Sequence, residues 1–599
     1  MFSVYGFWQI IGAAALGQRG VSGLAARVDA TFGNPIYLAA YMLFHIFIAA
    51  MLWAQMWVVR KHGERTVPSV FYALTILLDT ATLFFTGTRG TVLGLAAGII
   101  VSSFIIVILA RKSRNAWRAA VGAVVLVFLF AGGIYAMRDS VAVRSVGFLH
   151  RLATISISDP TIASRFLNMG IAWQGVKERP LLGWGQENYA IVFDKYYDPR
   201  MYAQEPWFDR VHDIIFDWLI AAGFIGLISY LSIFAATLLA LWKSRAFMMS
   251  ERAILTGLLV AYFVHNLAVF DNITSYILFG TVLAYIHFRA SCVDNAQRMF
   301  ENIALPKYIM PIVAVCAVAF VWAGAWWINA PALSANHDII QAIQPQSGGV
   351  QVNLKYFLSA SNSGSLGTQE AREQLSQAAG AIASQNVSLE IKQAFFGAAV
   401  GQMTAQEKAS PLDARFPLFV GIVEDAYGAH KDAAVALVRA HDLSPRKQSI
   451  IFQQASNASA RGDTKEMLRL FKSAYELEPK YTDARILYAA AAIRVGDLAL
   501  ASNLLDPIII SGEAADPRVT LAYVERRNFA PLIPIWKARI TVHPQEKNAY
   551  LTLAAIYYKV GDRAHAVAVL QSAVSVFPAQ KMEIESFIEQ IINGTAKVD

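Results

Sequence analysis

Only two cysteines occur in 599 residues, Cys292 and Cys316, and both lie in or beside apolar stretches, so no disulfide framework can staple an exported domain. Charge is scarce too. Asp, Glu, Lys and Arg make up 16% of the chain against 56% hydrophobic residues, which excludes an ordinary soluble protein and marks a membrane protein. The first 330 residues also lack any Asp-x-Asp, any His/Cys ligand cluster, any Gly-Lys-Ser/Thr phosphate loop and any Gly-x-Ser-x-Gly elbow. A divalent-metal mechanism therefore has no evident ligand set, and no metal or cofactor is expected. The net charge of +8 forms no patch of the kind that binds nucleic acid.

What is present is a series of apolar runs, each near the roughly 20 residues that cross a bilayer. They fall at 36–59, 68–86, 91–110, 118–136, 213–241, 253–271, 273–289 and 307–328, which predicts an all-α, polytopic bundle of about eight spans over residues 1–330. Lys and Arg gather in the connections 60–66, 111–118, 243–252 and 289–307, three or four in each. The alternate connections are poor in them: "TGTRG" (86–90) has one and "DN" (271–272) none. Short cytoplasmic loops are enriched in basic residues. Arg89, the long 137–211 connection and everything beyond residue 330 are therefore expected on the non-cytoplasmic side. The same alternation leaves Met1 outside without a signal peptide. The run 4–17 is too short to span, so either it lies in the interface or further membrane helices belong upstream.

After residue 330 the composition turns Ala-rich and polar. Residues 331–411, with "SNSGSLG" at 361–367, read as a linker followed by two helices. Beyond them a period emerges: Gly428, Gly462 and Gly496 are 34 apart, and so are Pro411, Pro445 and Pro479. Gly561 stands 17 residues before Pro578, as Gly462 does before Pro479. A 34-residue unit with Gly in its first third, Ala at helix contacts and a closing Pro resembles the tetratricopeptide repeat, in which stacked helix pairs build a shared core. Units fit at 412–445, 446–479, 480–513 and 545–578; 514–544 is short and degenerate, with Arg527 where Gly is expected. The run after 579 reads as a capping helix. Residues 412–599 are thus expected to form an α-solenoid, a surface for protein partners rather than a seat of chemistry.

Chemistry is expected in the membrane half, where three features share the outer side. The first is Arg89 in "TGTRGTVLGLAAG" (86–98), a lone guanidinium in a Gly/Thr turn between spans; it marks an anion site, or else snorkels at the interface. The second is "SDPTIASRFLNMGIAWQGVKERPLLGWGQENY" (158–189). Asp159 and Pro160 signal a helix start that brings Arg165, Met169 and Trp173 roughly onto one face, while Gln186, Asn188 and Tyr189 follow in a turn-rich segment. Arg suits bidentate phosphate binding; a solvated helix face is the plainer alternative.

The third feature is "FDRVHDIIFDWLIAAGFIG" (208–226), where Arg210, His212 and Asp213 open an apolar helix behind an aromatic-rich segment with Tyr196, Tyr197, Tyr202, Trp207 and Phe208. Such rings suit stacking on sugars, or form an interfacial belt. The positive end of the helix dipole favours a neutral imidazole, the state a general base requires. His265, inside a span, reads as structural or supporting, with Asp271 near the outer end of that span and Asp79 as a weaker case.

In this order, "TGTRG", the external "SRF…W…KERPLLGWGQENY" and a His opening "DWLIAAGFIGLISYL" resemble the O-antigen ligase and polymerase superfamily (Wzy-C) over residues 1–330. The early "TFGNPIYLAAYM" (31–42) also fits. The resemblance implies a fold shared with lipid-dependent glycosyltransferases (GT-C-like) and transfer of a glycan from a polyprenyl diphosphate, usually undecaprenyl, at the outer face of the cytoplasmic membrane. It implies Arg89 and Arg165 as diphosphate ligands and His212 as base for the acceptor hydroxyl, without a metal. Arg210, Asp213, Gln186, Asn188, Tyr189 and Trp207 stand around them as possible substrate or supporting residues. Two departures stand out: relatives usually read His-Asn where this chain has His212-Asp213, and they usually have about twelve spans. Ligase, repeat-unit polymerase and protein O-oligosaccharyltransferase remain open as readings, beside a non-catalytic membrane-anchored scaffold. A transporter is weakened by the lack of polar groups along the midplane.

Overall fold

The computed structural model describes residues 1–15, 27–109, 113–154, 160–204, 206–293 and 309–596. Asp159, part of the 111–118 connection and most of 289–307 lie outside these residues, as do the side chains of Pro160 and Cys292. The described residues are helical throughout, with no strand among them. They form two units: Met1–Phe193 with Trp207–Ile309, and Asp194–Pro206 with Met310–Asp599.

Seven helices are long and apolar enough to cross a membrane: Pro35–Val59, Thr66–Phe85, Arg89–Leu109, Arg114–Ala136, Ile214–Lys243, Ile273–Ser291 and Ile309–Ile343. The remaining expected span, 253–271, appears as Met249–Asn266, an 18-residue helix. It is less apolar because it carries Glu251, Arg252, His265 and Asn266, and at 1.5 Å per residue it is about 27 Å long. Its Leu255, Leu258, Leu259, Ala261 and Tyr262 join Leu43, Phe44 and Leu95 in the core of the first unit.

Small residues set how closely that helix is approached. Gly90, Gly94 and Gly98 recur every fourth residue along Arg89–Leu109, the small-xxx-small spacing that lets membrane helices meet backbone to backbone. A Cβ added at Gly94 would lie 2.5 Å from the carbonyl oxygen of Ala261, and one at Gly98 2.5 Å from that of Gly257. The 137–211 connection is itself structured, with helices at Val141–Ser145, Gly147–Ala153, Pro160–Glu178 and Tyr189–Lys195.

In the second unit the helix Ile309–Ile343 leads to Val350–Ser361, Thr368–Ser384 and Leu389–Ala409. Five helix pairs follow: 415–426 with 430–443, 448–460 with 464–477, 482–495 with 498–509, 517–525 with 532–542, and 547–559 with 563–576. Lys581–Asn593 closes the array. The turn chemistry is local. Gly428, Gly462, Gly496 and Gly561 take φ of 82°, 78°, 92° and 87°, the left-handed region that glycine enters without a Cβ penalty. Asp463, Asp497 and Asp562 then cap the next helix through the backbone N–H three residues on. At the degenerate unit Arg527 adopts the same turn with φ 53°. Buried alanines, among them Ala455, Ala458, Ala474, Ala489 and Ala492, fill the contacts between helices.

Two outcomes follow from this packing. Gly94→Val is expected to drive a side chain into the Ala261 carbonyl and to lower the thermal midpoint in detergent, at a cost of about 1–3 kcal/mol or more; an unchanged midpoint would contradict the close approach. Arg527→Gly is expected to relieve a left-handed backbone worth about 1 kcal/mol, partly offset by glycine's freedom in the unfolded chain, and so to raise the stability of residues 412–599 slightly. Calorimetry of the two proteins side by side checks the sign.

Candidate active site

His212 is one of four non-glycine residues at positive φ among the described residues, at 66°. A branched or bulky side chain is rarely tolerated there, and the conformation costs about 1–3 kcal/mol unless its surroundings enforce it. They do. Asn168, buried on the Pro160–Glu178 helix, donates its carboxamide to the Val211 carbonyl at 2.9 Å and the Arg210 carbonyl at 3.4 Å. Tyr189 in turn donates its hydroxyl to the Asn168 carbonyl at 3.1 Å and to its side-chain oxygen. Burial, with the Asp217 carboxylate adding to it, holds the Tyr189 hydroxyl well above its ordinary pKa, so it stays a donor. The Val211 N–H reaches Asp217 Oδ1 at 2.8 Å.

On the other side, Asp213 caps the Ile214–Lys243 helix, its Oδ1 accepting the N–H groups of Ile215 and Phe216 at 3.0 Å each. Asp213 is thus committed to the helix terminus. Burial raises its carboxyl above the ordinary range, while those two N–H bonds pull it back. The imidazole is oriented by the main chain: His212 Nδ1 lies 3.1 Å from the Arg210 carbonyl. A carbonyl only accepts, so Nδ1 carries the proton, and in the neutral ring Nε2 holds the lone pair. Phe208 and Phe270 meet the ring edge-on at 5.6 and 5.1 Å.

Arg89 and Arg165 are brought to one cavity. Both line a cavity of about 220 Å³, and Arg27 and Arg151 line it with them. Arg89 opens its helix after the Gly87 turn, with Nε donating to the Arg151 carbonyl at 2.8 Å and Nη2 to Thr154 Oγ1 at 3.2 Å. Arg27 reaches the same turn, donating to the Thr86 carbonyl at 2.8 Å and Thr88 Oγ1 at 3.2 Å. Burial, then the like charge of Arg151, lowers the Arg27 pKa. The described residues lining this cavity include four guanidiniums and no carboxylate, so it suits an anion. Ala268 and Val269 form part of its wall, and the next ring along, Phe270, is the one packed against His212.

A second, smaller cavity of about 10 Å³, room for about one water, is lined by Gln186, Arg210, Asp217, Asp271 and Tyr276. The Oδ2 atoms of Asp217 and Asp271 are buried there without a hydrogen-bond partner among the described residues. Arg210 itself pairs with Glu187.

The remaining sequence candidates are placed as follows. Asn188 donates to the Trp184 carbonyl at 2.9 Å and shapes its turn. Trp207 is half-buried in the first unit. His265 is fully buried, with Nδ1 2.8 Å from Thr91 Oγ1, and Asp271 accepts from Asn266 at 2.7 Å and from Tyr262. Asp79 accepts from Ser3. Tyr197 and Tyr202, read as possible sugar platforms, fold with the second unit and pack there against Lys447 and Tyr481. Sequence reasoning missed Arg27, Arg151, Asn168 and Asp217. Only Asn168 had a visible signal, standing one helical step from Arg165.

Residues 71–231 match the family model of O-antigen ligase, and residues 458–521 match that of the tetratricopeptide repeat. The first segment contains Arg89, Arg165 and His212. The chain therefore joins an O-antigen-ligase-type membrane domain to tetratricopeptide repeats. A comparison with curated proteins finds no match. Similar solved structures include a tetratricopeptide repeat protein from Parabacteroides merdae (16% identity, 38% of this chain and 94% of that one, TM-score 0.26) and yeast Tom70 (12%, 92% and 96%, 0.29). The APC/C hetero-tetramer Cut9–Hcn1 is another (10%, 78% and 98%, 0.17).

Asp213 offers a direct check. Asn caps a helix about as well as Asp, whereas Ala costs about 1 kcal/mol, so Asp213→Asn is expected to keep wild-type stability near neutral pH and Asp213→Ala to lose about that much. Because the folded-state pKa of Asp213 is raised, the folded chain holds that proton more tightly than the unfolded chain. Its contribution is full below the unfolded value and declines as pH rises through the folded one. Melting curves of wild type and Asp213→Asn across the acid range should differ by that decline.

Proposed function

We propose that the membrane domain transfers a glycan from a polyprenyl diphosphate to an acceptor hydroxyl at the outer face of the cytoplasmic membrane. The observation that carries this reading is the cavity lined by Arg27, Arg89, Arg151 and Arg165, whose wall residues Ala268 and Val269 run into Phe270, the ring packed on His212. Breaking the glycosyl–diphosphate bond leaves negative charge on the departing diphosphate, which fixed guanidiniums in a partly dehydrated site stabilise. As the acceptor oxygen attacks the anomeric carbon, His212 Nε2 takes its proton, and the Nδ1–H bond to the Arg210 carbonyl steadies the imidazolium that results. The chain needs no metal for these roles. The match to the O-antigen ligase model supports the reaction class, and the Lys/Arg-rich connections 60–66, 111–118, 243–252 and 289–307 support the orientation.

The test is transfer by purified protein from a polyprenyl-diphosphate glycan to hydroxyl acceptors. His212→Ala should lower kcat by about 10²–10⁴-fold. Arg165→Ala and Arg89→Ala should each lower it by about 10²–10³-fold, with all three proteins melting as wild type does. Undiminished transfer in His212→Ala and Arg165→Ala would overturn the assignment.

A further inference from the structure

Residues 194–206 belong by sequence to the long connection that precedes His212, yet they fold as part of the repeat unit. Three entry turns one repeat apart lie against them, at Asp413, Lys447 and Tyr481, each 34 residues from the next; Lys447 and Tyr481 touch the segment with their side chains, and the first turn through the Ala414 N–H. All three stand at the turn that enters the first helix of a repeat. At the first turn, the Ala414 N–H donates to Asp194 Oδ2 at 3.1 Å, while Arg415 grips Asp413 with Nε and Nη2. At the second, Ser444 donates to the Asp194 carbonyl at 2.8 Å, Gln448 to the Pro199 carbonyl at 3.1 Å, and Lys447 to the Pro206 carbonyl. Lys447 Nζ also stands 4.0 Å from Asp194 Oδ1 and 4.9 Å from the centre of the Tyr197 ring. At the third, Tyr202 stacks on Tyr481, ring centres 4.3 Å apart and 16° from parallel.

Ordinary repeats leave this edge to solvent. Here Asp194 and Lys447 expose 1% and 2% of their surface, and Ser444, Gln448 and Met201 are equally buried. An ion pair taken this far out of water is costly and is a poor way to gain stability, but it is unforgiving of misplacement: losing one partner strands the other charge. Burial raises the Asp194 pKa, with Lys447 opposing, and lowers that of Lys447, with Asp194 opposing. For both groups burial is the larger effect and the partner opposes it.

We propose that the entry turns of the first three repeats are a clamp for the chain's own external segment, and that Lys447, through Asp194 and Pro206, is a positioning residue for His212, which lies six residues beyond Pro206. The clamp rests on contacts within the repeat unit. Its link to catalysis rests on the transferase reading above.

The full-length protein in detergent tests both parts. Hydrogen exchange in peptides covering 194–206 should quicken by about tenfold or more in Lys447→Met, with the helices 448–460 and 482–495 still protected. The double variant Asp194→Asn/Lys447→Met, which strands no charge, should recover most of that protection. Tyr202→Ala, which removes only the outer stack, should give a smaller rise and guards against loss of folding in the first variant. In the transfer assay Lys447→Met should lower kcat about tenfold at unchanged donor KM, and the double variant should restore part of it. Unchanged exchange over 194–206 in both Lys447→Met and Tyr202→Ala overturns the clamp, and quickened exchange with wild-type kcat overturns the positioning role. No transfer by the wild-type protein counts against the transferase reading alone, because the exchange arm still decides the clamp.

Discussion

A histidine held at positive φ constrains everything around it. Glycine would occupy that backbone conformation without strain, so a histidine persists there only where its surroundings hold it. The cost is met by bonds that fix both flanks. The Asn168 carboxamide spans two consecutive carbonyls, Asp217 takes the N–H of Val211, and Asp213 ties the following turn to the helix terminus. With its backbone so determined, the imidazole needs only one side-chain bond, to the Arg210 carbonyl, to be oriented. The tautomer then follows from elementary chemistry, because a carbonyl only accepts. Asp213, adjacent in sequence to His212, is turned to the helix instead: its Oδ1 accepts two backbone N–H groups.

The arginine cavity depends on a different constraint, the absence of side chains. Gly90, Gly94 and Gly98 let the Arg89–Leu109 helix lie against the backbone of Met249–Asn266, and that approach puts Ala268 and Val269 on the wall beside Arg89. Four guanidiniums then line one small space, and burial, with the like charge of Arg151 adding to it, lowers the pKa of Arg27. Guanidiniums gathered in this way offer a set of planar donors suited to an anionic ligand. Diphosphate has the charge and the geometry for several bidentate contacts at once.

How much of this could be read from the sequence depended on how local each cause is. The repeats were legible because a left-handed glycine and a capping aspartate act within a few residues, so "Gly-Asp" recurs at 462–463, 496–497 and 561–562. Arg527 was legible as an irregularity for the same reason. Arg89, Arg165 and His212 stood out through unusual placement beside apolar runs. Arg27 and Arg151 did not, since nothing near them in sequence announces the cavity that gathers them. Asp217 sat inside an apolar helix, where spacing cannot tell a capping network from an isolated polar residue. The tyrosines at 197 and 202 were read by their closeness to His212, but sequence adjacency does not say with which unit a segment folds.

That last point bears on what the repeats contribute. A helical array whose entry turns were free would show polar, unrelated residues at the recurring position, because nothing would select them. The three turns are indeed unrelated in chemistry, yet each matches what lies against it: the Ala414 N–H on a buried carboxylate, the Lys447 cation over an aromatic ring and a carbonyl, the Tyr481 ring on a ring. Chemical variety at one repeat position, matched residue by residue to a single peptide, is the signature of a specific interface rather than of drift. From Pro206 to His212 the chain has only six steps, about 20 Å when fully extended.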